Sequence, residues 1–166
     1  MTTLSPSTPW LTRLLRLTFI GVGVVLLQWL LLNRMRLWGA YPDGVLLFVA
    51  YLGLYYGRRI GLVGGFFSGL LLDALLDSWG LHTFVKSLTG FLIGSFAVGE
   101  RENLRPTLGQ AFMGGFVLAL VHNGLLVALL ALAAETRTSF MITALWLGSA
   151  LYTAFLSTLV TLWRTP

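Results

Sequence analysis

The chain has 166 residues, of which 57% are hydrophobic and 10% charged, and this composition is typical of an integral membrane protein. The net charge of +5 does not indicate nucleic-acid binding, because the arginines occur singly or in pairs between apolar runs instead of along one basic face. Since the chain contains no cysteine, disulfides, thiol chemistry and cysteine metal sites are excluded.

Apolar runs predict six membrane-spanning helices in one compact all-α bundle. A polar tail, residues 1–16, precedes the first run. Asn33 and Arg34 close that run without a small-residue cleavage site, so we predict a retained helix and no signal peptide. The predicted helices cover residues 17–33, 43–57, 60–77, 81–99, 106–134 and 140–163, and residues 17–163 form a single domain.

The second predicted helix ends in tyrosines. Tyr51 and Tyr55 lie one helical turn apart, and the basic turn Arg58-Arg59 follows. Tyrosine is enriched where membrane helices meet the lipid headgroups, and its ring also suits a groove for a partner helix. The sequence leaves both interpretations open, and Tyr51 and Tyr55 are candidates for a partner interface.

The third predicted helix, GLVGGFFSGLLLDALLD, has a small or acidic residue at every fourth position: Gly61, Gly65, Gly69, Asp73 and Asp77. On a helix this spacing places them on one stripe. The glycines allow another backbone to come close, as in contacts between membrane helices. The carboxylates need a partner, because a charge in hydrocarbon is costly.

The fourth predicted helix repeats this spacing in reverse order, with His82 and Lys86 first and Gly90 and Gly94 after them. We therefore predict an antiparallel hairpin in which glycines face glycines. Asp73 or Asp77 would then pair with Lys86, and the four charged or polar residues would form an intramembrane cluster. The alternative is that Lys86 extends to the membrane surface and the glycines only relieve crowding.

The fifth and sixth predicted helices carry further polar residues. His122 and Asn123 lie near the middle of the fifth helix, where they are more typical of an interhelical hydrogen-bonding pair than of a proton relay or a ligand site. Hydroxyls at every fourth position of the sixth helix bond either across helices or back to their own carbonyls: Ser149, Thr153, Ser157 and Thr161.

No catalytic motif is recognisable in the sequence. It has no phosphate-binding glycine loop, no HExxH zinc pair and no serine in a nucleophile turn. We therefore predict no enzymatic activity, no catalytic or metal-binding residue and no cofactor.

Basic residues predict the orientation. An even number of spans places both termini on one side, which carries seven arginines: Arg13, Arg16, Arg58, Arg59, Arg101, Arg105 and Arg164. The opposite side carries Arg34, Arg36 and Arg137, with Lys86 as a marginal fourth. Since basic residues accumulate on the cytoplasmic side, we predict cytoplasmic termini and an outer location for the Asp73/Asp77/Lys86 cluster.

The first four predicted helices resemble the MreD family of the bacterial rod-shape system. The resemblance rests on Gln28, Pro42, the run GGFFSGLLLD over residues 64–73 and the Gly80-Leu81 turn, and it covers most of residues 17–99. Asp77 and Lys86 do not map onto the family pattern.

The resemblance implies a non-catalytic adaptor in the bacterial cytoplasmic (inner) membrane. MreD-like proteins associate with MreC and, directly or through MreC, with a SEDS glycosyltransferase and a penicillin-binding transpeptidase of peptidoglycan elongation. They are linked only indirectly to MreB filaments. The expected surroundings are therefore these partners and the lipid bilayer, with no nucleic acid.

An alternative function follows from a second resemblance, since MreD-like bundles are similar in outline to the six-helix substrate-capture subunits of ECF-type vitamin transporters. In that case an outward-facing pocket would be lined by Asp73, Asp77, His82, Lys86, Trp38 and Trp79. The short outer loops argue against it, because a capture subunit needs a lid over its ligand. Copurification with MreC or with an energising module would distinguish the two functions.

Overall fold

The computed structural model describes residues 9–78, 80–98, 106–133 and 141–164, which are almost entirely helical. The α-helices are α1 (Pro9–Leu30), α2 (Gly44–Leu76), α3 (Leu81–Ile93), α4 (Leu108–Ala133) and α5 (Ser149–Arg164). Short 3-10 helices, Leu32–Arg34 and Gly94–Phe96, follow α1 and α3, and a π-helix, Met141–Gly148, leads directly into α5.

Helix α2 is broken at Gly57, whose φ of 85° and ψ of −177° are non-helical. This backbone region is essentially restricted to glycine. The chain reverses direction at Gly57. The reversal brings Gly61 against Gly53 and Gly64 against Leu52, so closely that an added Cβ atom at Gly61 or Gly64 would collide with them. Residues 44–56, the first half of α2, therefore run antiparallel to residues 58–76, the second half.

The outside of the bundle is apolar. Phe19 and Trp163 are 83% and 93% exposed, as expected for side chains that face lipid instead of water. Within the described residues, four helices are long and apolar enough to cross a membrane: Trp10–Arg34, Gly44–Leu76, Leu108–Leu132 and Ile142–Trp163. The chain is thus an all-helical protein with the surface of a membrane protein.

The helix bounds differ from the predicted ones mainly at the ends. Helix α1 already begins at Pro9, so that Arg13 and Arg16 lie within it. Helix α3 ends at Ile93, where the predicted helix continued to residue 99. Hydropathy marks the part of a helix that lies in hydrocarbon, whereas helical backbone can extend into the headgroup region or stop short of it.

The first half of α2 is the centre of the bundle. One cluster of buried side chains joins it to α1 and to its own second half: Val25, Val45, Val49 and Leu72. A second cluster joins it to α4 and α5: Leu46, Ala119 and Ala150. Because helices pack on most of its faces, no residue of this segment is exposed, and one face, at Gly44, Leu47, Phe48 and Tyr51, is only half-buried.

The second half of α2 and α3 form the predicted glycine hairpin. Cβ atoms at Gly61 and Gly90 would each collide with the backbone of the other residue, and one at Gly65 would collide with the carbonyl of Lys86. Gly69 similarly faces the backbone of His82 and Thr83. Helix α3 of the same chain therefore packs on the glycine stripe.

Candidate functional site: a buried polar layer and an open groove

A layer of buried polar side chains crosses the bundle where α1 ends and where α2, α3 and α5 begin. We call these residues the polar layer: Gln28, Asp43, Asp73, Lys86, Ser149 and Thr153. Buried polar groups need hydrogen-bond partners in a low-dielectric interior, and each of these residues has them.

Gln28 fastens the linker between α1 and α2. Its Nε2 donates to the Pro42 carbonyl at 3.0 Å and to Asn33 Oδ1 at 2.8 Å. Its Oε1 accepts from the Gly44 N–H at 2.8 Å. That N–H is one of the donors that a helix N-terminus leaves without an intrahelical partner. Gln28 therefore both holds the linker and satisfies the start of α2.

Asp43 connects three helices at the start of α2. Its Oδ1 accepts from the Leu46 N–H at 2.7 Å, which makes it the N-cap of α2. Its own N–H donates to Thr153 Oγ1 of α5 at 3.0 Å, and its Oδ2 accepts from Lys86 Nζ of α3 at 2.5 Å. The carboxylate thus combines a helix cap with an ion pair.

The prediction that Lys86 pairs with Asp73 or Asp77 is wrong. Lys86 is completely buried and pairs with Asp43, 43 positions earlier in the chain, instead of with Asp73 or Asp77. The physical reason is that the face of α3 carrying the Lys86 side chain packs on the first half of α2, while its backbone faces Gly65. The alternative that Lys86 extends to the membrane surface is also wrong.

Asp73 instead caps α3. Its carboxylate accepts from the backbone N–H groups of Gly80, His82 and Thr83 at 2.9–3.0 Å, and from the Thr83 hydroxyl at 2.6 Å. The residue at the cap position, Gly80, has no side chain to do this. The carboxylate therefore closes the hairpin and complements the positive end of the α3 dipole.

Asp77 and His82 are the remaining members of the predicted intramembrane cluster. Asp77 is exposed and ends α2 in a left-handed conformation. His82 donates its backbone N–H to Asp73, while its Nδ1 is buried without a hydrogen-bond partner among the described residues. The predicted cluster is thus divided between a cap, an exposed residue and an ion pair with Asp43.

His122 and Asn123 are both buried in α4 and bond to each other, with 2.9 Å between His122 Nδ1 and Asn123 Oδ1. His122 Nε2 and Asn123 Nδ2 have no hydrogen-bond partner among the described residues. The bond that the described residues show for this pair thus lies within α4, whereas an interhelical pair was expected.

The hydroxyls of α5 bond in both of the predicted ways. Thr153 donates to the Ser149 carbonyl of its own helix and accepts from Asp43, and Ser149 accepts from the Tyr41 N–H at 3.1 Å. Ser157 donates across to the Ala111 carbonyl of α4 at 2.9 Å. This face of α5 therefore fastens both α4 and the linker before α2.

An open groove of about 750 Å³ lies between α1 and α5, with the first half of α2 as its floor. Tyr51 and Tyr56 line it near one end, together with Arg13 and Arg16 of α1. The Tyr51 and Tyr55 rings contact each other, with 4.8 Å between their centroids. Of the predicted partner-interface residues, the structure thus places Tyr51 in an open groove and the glycines inside the hairpin.

A family model, rod shape-determining protein MreD, matches residues 9–165 of the chain. The match includes nearly the whole chain. The chain belongs to the MreD family. No curated protein and no solved structure is significantly similar to it. Membership in the MreD family implies a role in rod-shape determination, and it confirms the resemblance seen in the first four helices.

Asp43 of this MreD chain was not among the residues predicted from the sequence. The signal was present in part, because Pro42-Asp43-Gly44 before an apolar run is typical of a helix start. Nothing local, however, indicates that the capping carboxylate also holds a lysine from another helix. Gln28 was noted only as part of the resemblance, although its three hydrogen bonds organise the linker.

Among the described residues of this MreD chain, two of the polar groups expected in the outward pocket of a capture subunit are bonded within the bundle. Asp73 and Lys86 are occupied by the α3 backbone and by Asp43. Trp38 is 95% exposed and lines a separate shallow groove beside the π-helix, and Trp79 lies outside the described residues. The described residues also contain no group of three His, Asp or Glu side chains arranged to hold a metal ion.

Proposed function

We propose that the chain is a non-catalytic adaptor of the cell-shape complex that binds MreC and helps to organise peptidoglycan synthesis. The observation that carries the proposal is the contrast between the polar layer and the groove. The side chains of the polar layer form hydrogen bonds and an ion pair within the bundle. The apolar surface of the groove between α1 and α5, in contrast, is not covered by another helix among the described residues of the chain. Such a molecule is suited to holding a partner in the membrane plane.

We further propose that the six helical segments are six spans in the bacterial inner membrane, with both termini in the cytoplasm. The second half of α2 has room to cross only because Gly57 reverses the chain after the first half. Arg58 and Arg59 lie at that reversal and are exposed, as expected for a cytoplasmic turn. Arg13 and Arg16 near the start of α1 belong to the same side in this arrangement.

The test is copurification from mild detergent after coexpression of the tagged chain with MreC of the same host. We expect a stable complex, and we expect depletion of the chain in a rod-shaped host to give round or swollen cells. Normal rods after depletion, or no complex with MreC, would contradict the proposal. Saturable nanomolar binding of a vitamin-like compound by the purified chain would favour the capture-subunit function instead.

The wider partners are expected to join through MreC or directly. Adding the SEDS glycosyltransferase and its penicillin-binding transpeptidase to the chain, with and without MreC, distinguishes the two routes. MreB is expected only in preparations that contain the complete complex, because the proposed contact with its filaments is indirect. Turnover of a substrate by the purified chain alone would contradict an adaptor.

A further inference from the structure

The groove between α1 and α5 exists because α1 packs on the rest of the bundle along a narrow seam. Among the described side chains of α1, only Gly21, Val25 and Gln28 are buried. Gly21 contacts Phe48 of α2, and Val25 joins the cluster around Val45. The rest of α1 stands clear of α5, so both helices form walls with lining side chains that include Ile20, Val24, Leu27, Leu156 and Val160.

The length of the groove decides what class of molecule fits it. Its apolar lining on the α1 side runs from Leu17 to Leu32, which is about 22 Å at 1.5 Å per residue, and the charged end extends it to Thr12. One leaflet offers only about 15 Å, half of the roughly 30 Å hydrocarbon core. A lipid acyl chain, which occupies one leaflet, is too short to fill the groove, whereas a membrane-spanning helix can lie along its whole length.

The floor of the groove has the spacing that a packed helix needs. Gly44, Leu47, Phe48 and Tyr51 lie at positions i, i+3, i+4 and i+7 and so share one face of α2. Gly44, at one end of the groove, makes the groove deeper there because it has no side chain; a Cβ atom at this position would contact Leu32 and Gln28. Small residues in such positions are typical of membrane-helix interfaces.

The charge of the groove is confined to one end. Arg13 and Arg16 lie where α1 begins, and the lining side chains between Leu17 and Leu32 are apolar. We propose that the groove holds one membrane-spanning helix of a partner protein, apolar along its length and acidic at the end that meets Arg13 and Arg16. The inference rests on the proposed function, because it assigns to that function the surface on which the partner helix lies.

The absence of cysteine in the chain makes disulfide crosslinking a clean test. Leu27 lines the groove, whereas the adjacent Leu26 does not, and the two are similarly exposed, at 48% and 43%. Leu27→Cys and Leu26→Cys are each combined with single cysteines along the transmembrane segment of coexpressed MreC. We expect crosslinks from Leu27→Cys, recurring every three to four positions of that segment, and few from Leu26→Cys.

A second experiment fills the groove. Ile20→Trp adds bulk to the groove wall, and Val22→Trp adds it to a similarly exposed position outside the groove. We expect Ile20→Trp to recover about tenfold less MreC than Val22→Trp, because overfilling a packed contact is costly. Membrane abundance and a monodisperse elution profile must stay equal, which separates a lost contact from a misfolded chain.

Each other outcome overturns the inference. MreC that copurifies but crosslinks equally at both positions, or is recovered equally with both tryptophans, would refute the groove and leave the proposed function standing. A benzophenone side chain at position 27 that captures only lipid, or only a second copy of the chain, would replace the partner helix by that occupant. If MreC does not copurify at all, the proposed function fails and this inference fails with it.

Discussion

Lys86 and Asp43 illustrate what a charge inside the bundle requires. The ammonium is completely buried, and the carboxylate that holds it also accepts from the Leu46 N–H and so remains bound to protein on both oxygens. Removing one partner leaves the other as an uncompensated charge, whereas removing both leaves none. The pair is therefore a strongly coupled unit.

We expect Lys86→Met alone to destabilise the protein by about 3–5 kcal/mol, as found when one partner of a buried pair is removed. The double variant Lys86→Met/Asp43→Asn should lose less than the sum of its single variants, because asparagine keeps an oxygen for Leu46 and carries no charge. Thermal unfolding in detergent measures both. Lys86→Met/Asp77→Asn is the control, and it should be additive; additive losses in the Asp43 pair would refute the coupling.

Asp73 and Asp77 are expected to differ sharply despite their equal spacing in the sequence. Asp73→Ala removes the acceptor of three backbone N–H groups and should cost roughly 2 kcal/mol or more, since bonds to a charged group are the strong ones. Asp77→Ala, at an exposed position, should cost well under about 1 kcal/mol. Equal losses of thermal stability in Asp73→Ala and Asp77→Ala would show that the Asp73 cap does not stabilise the hairpin.

At the scale of elements, the hairpin of the second half of α2 and α3 depends on backbone contact. Gly61, Gly65 and Gly69 each face main-chain atoms of α3, and main chain cannot move aside as a flexible side chain can. Every added carbon must therefore push the two helices apart along their whole contact. The glycines serve the fold, which leaves the partner to bind elsewhere on the chain.

We expect Gly65→Ala to destabilise the protein by about 1–3 kcal/mol, the usual cost of overpacking, and to lower its abundance in the membrane whether or not MreC is present. Gly114→Ala in α4 is the matched control, because its added carbon meets no atom within 4 Å and alanine favours a helix. A stable, abundant Gly65→Ala that has lost MreC would instead assign the stripe to the partner.

For the whole molecule, the decisive feature is the central position of the first half of α2. It contacts α1 through Val45 and Val49, α3 through Gly53, and α4 and α5 through Leu46. Its start is held by the polar layer, and its end is the reversal at Gly57. The topology therefore depends on whether that reversal lies on the membrane surface.

Six spans predict that residues 59 and 77 lie on opposite sides of the membrane. In the cysteine-free chain, a membrane-impermeant maleimide should label Asp77→Cys in right-side-out vesicles and Arg59→Cys only after permeabilisation; both positions are exposed. A reporter fused after Pro166 should be cytoplasmic. Labelling of both cysteines from the same side would contradict six spans.

Composition and local spacing determined much of this protein. Apolar runs determined the membrane class, and the four-residue period of glycines in residues 61–94 was sufficient to predict the hairpin, because both signals act between neighbours on one helix or on two consecutive helices. The run GGFFSGLLLD likewise indicated the family through residue identity alone, and the family match over residues 9–165 confirms it.

Only the tertiary structure decided which charges meet and which helix is central. The regular glycine and aspartate spacing lies in residues 61–77, yet the central segment of the bundle is the first half of α2. The spacing predicted Asp73 or Asp77 as the partner of Lys86. Its partner is Asp43 instead, because the first half of α2 begins beside α3. A one-dimensional period records which residues share a face, but the neighbour of that face depends on how all the helices pack together.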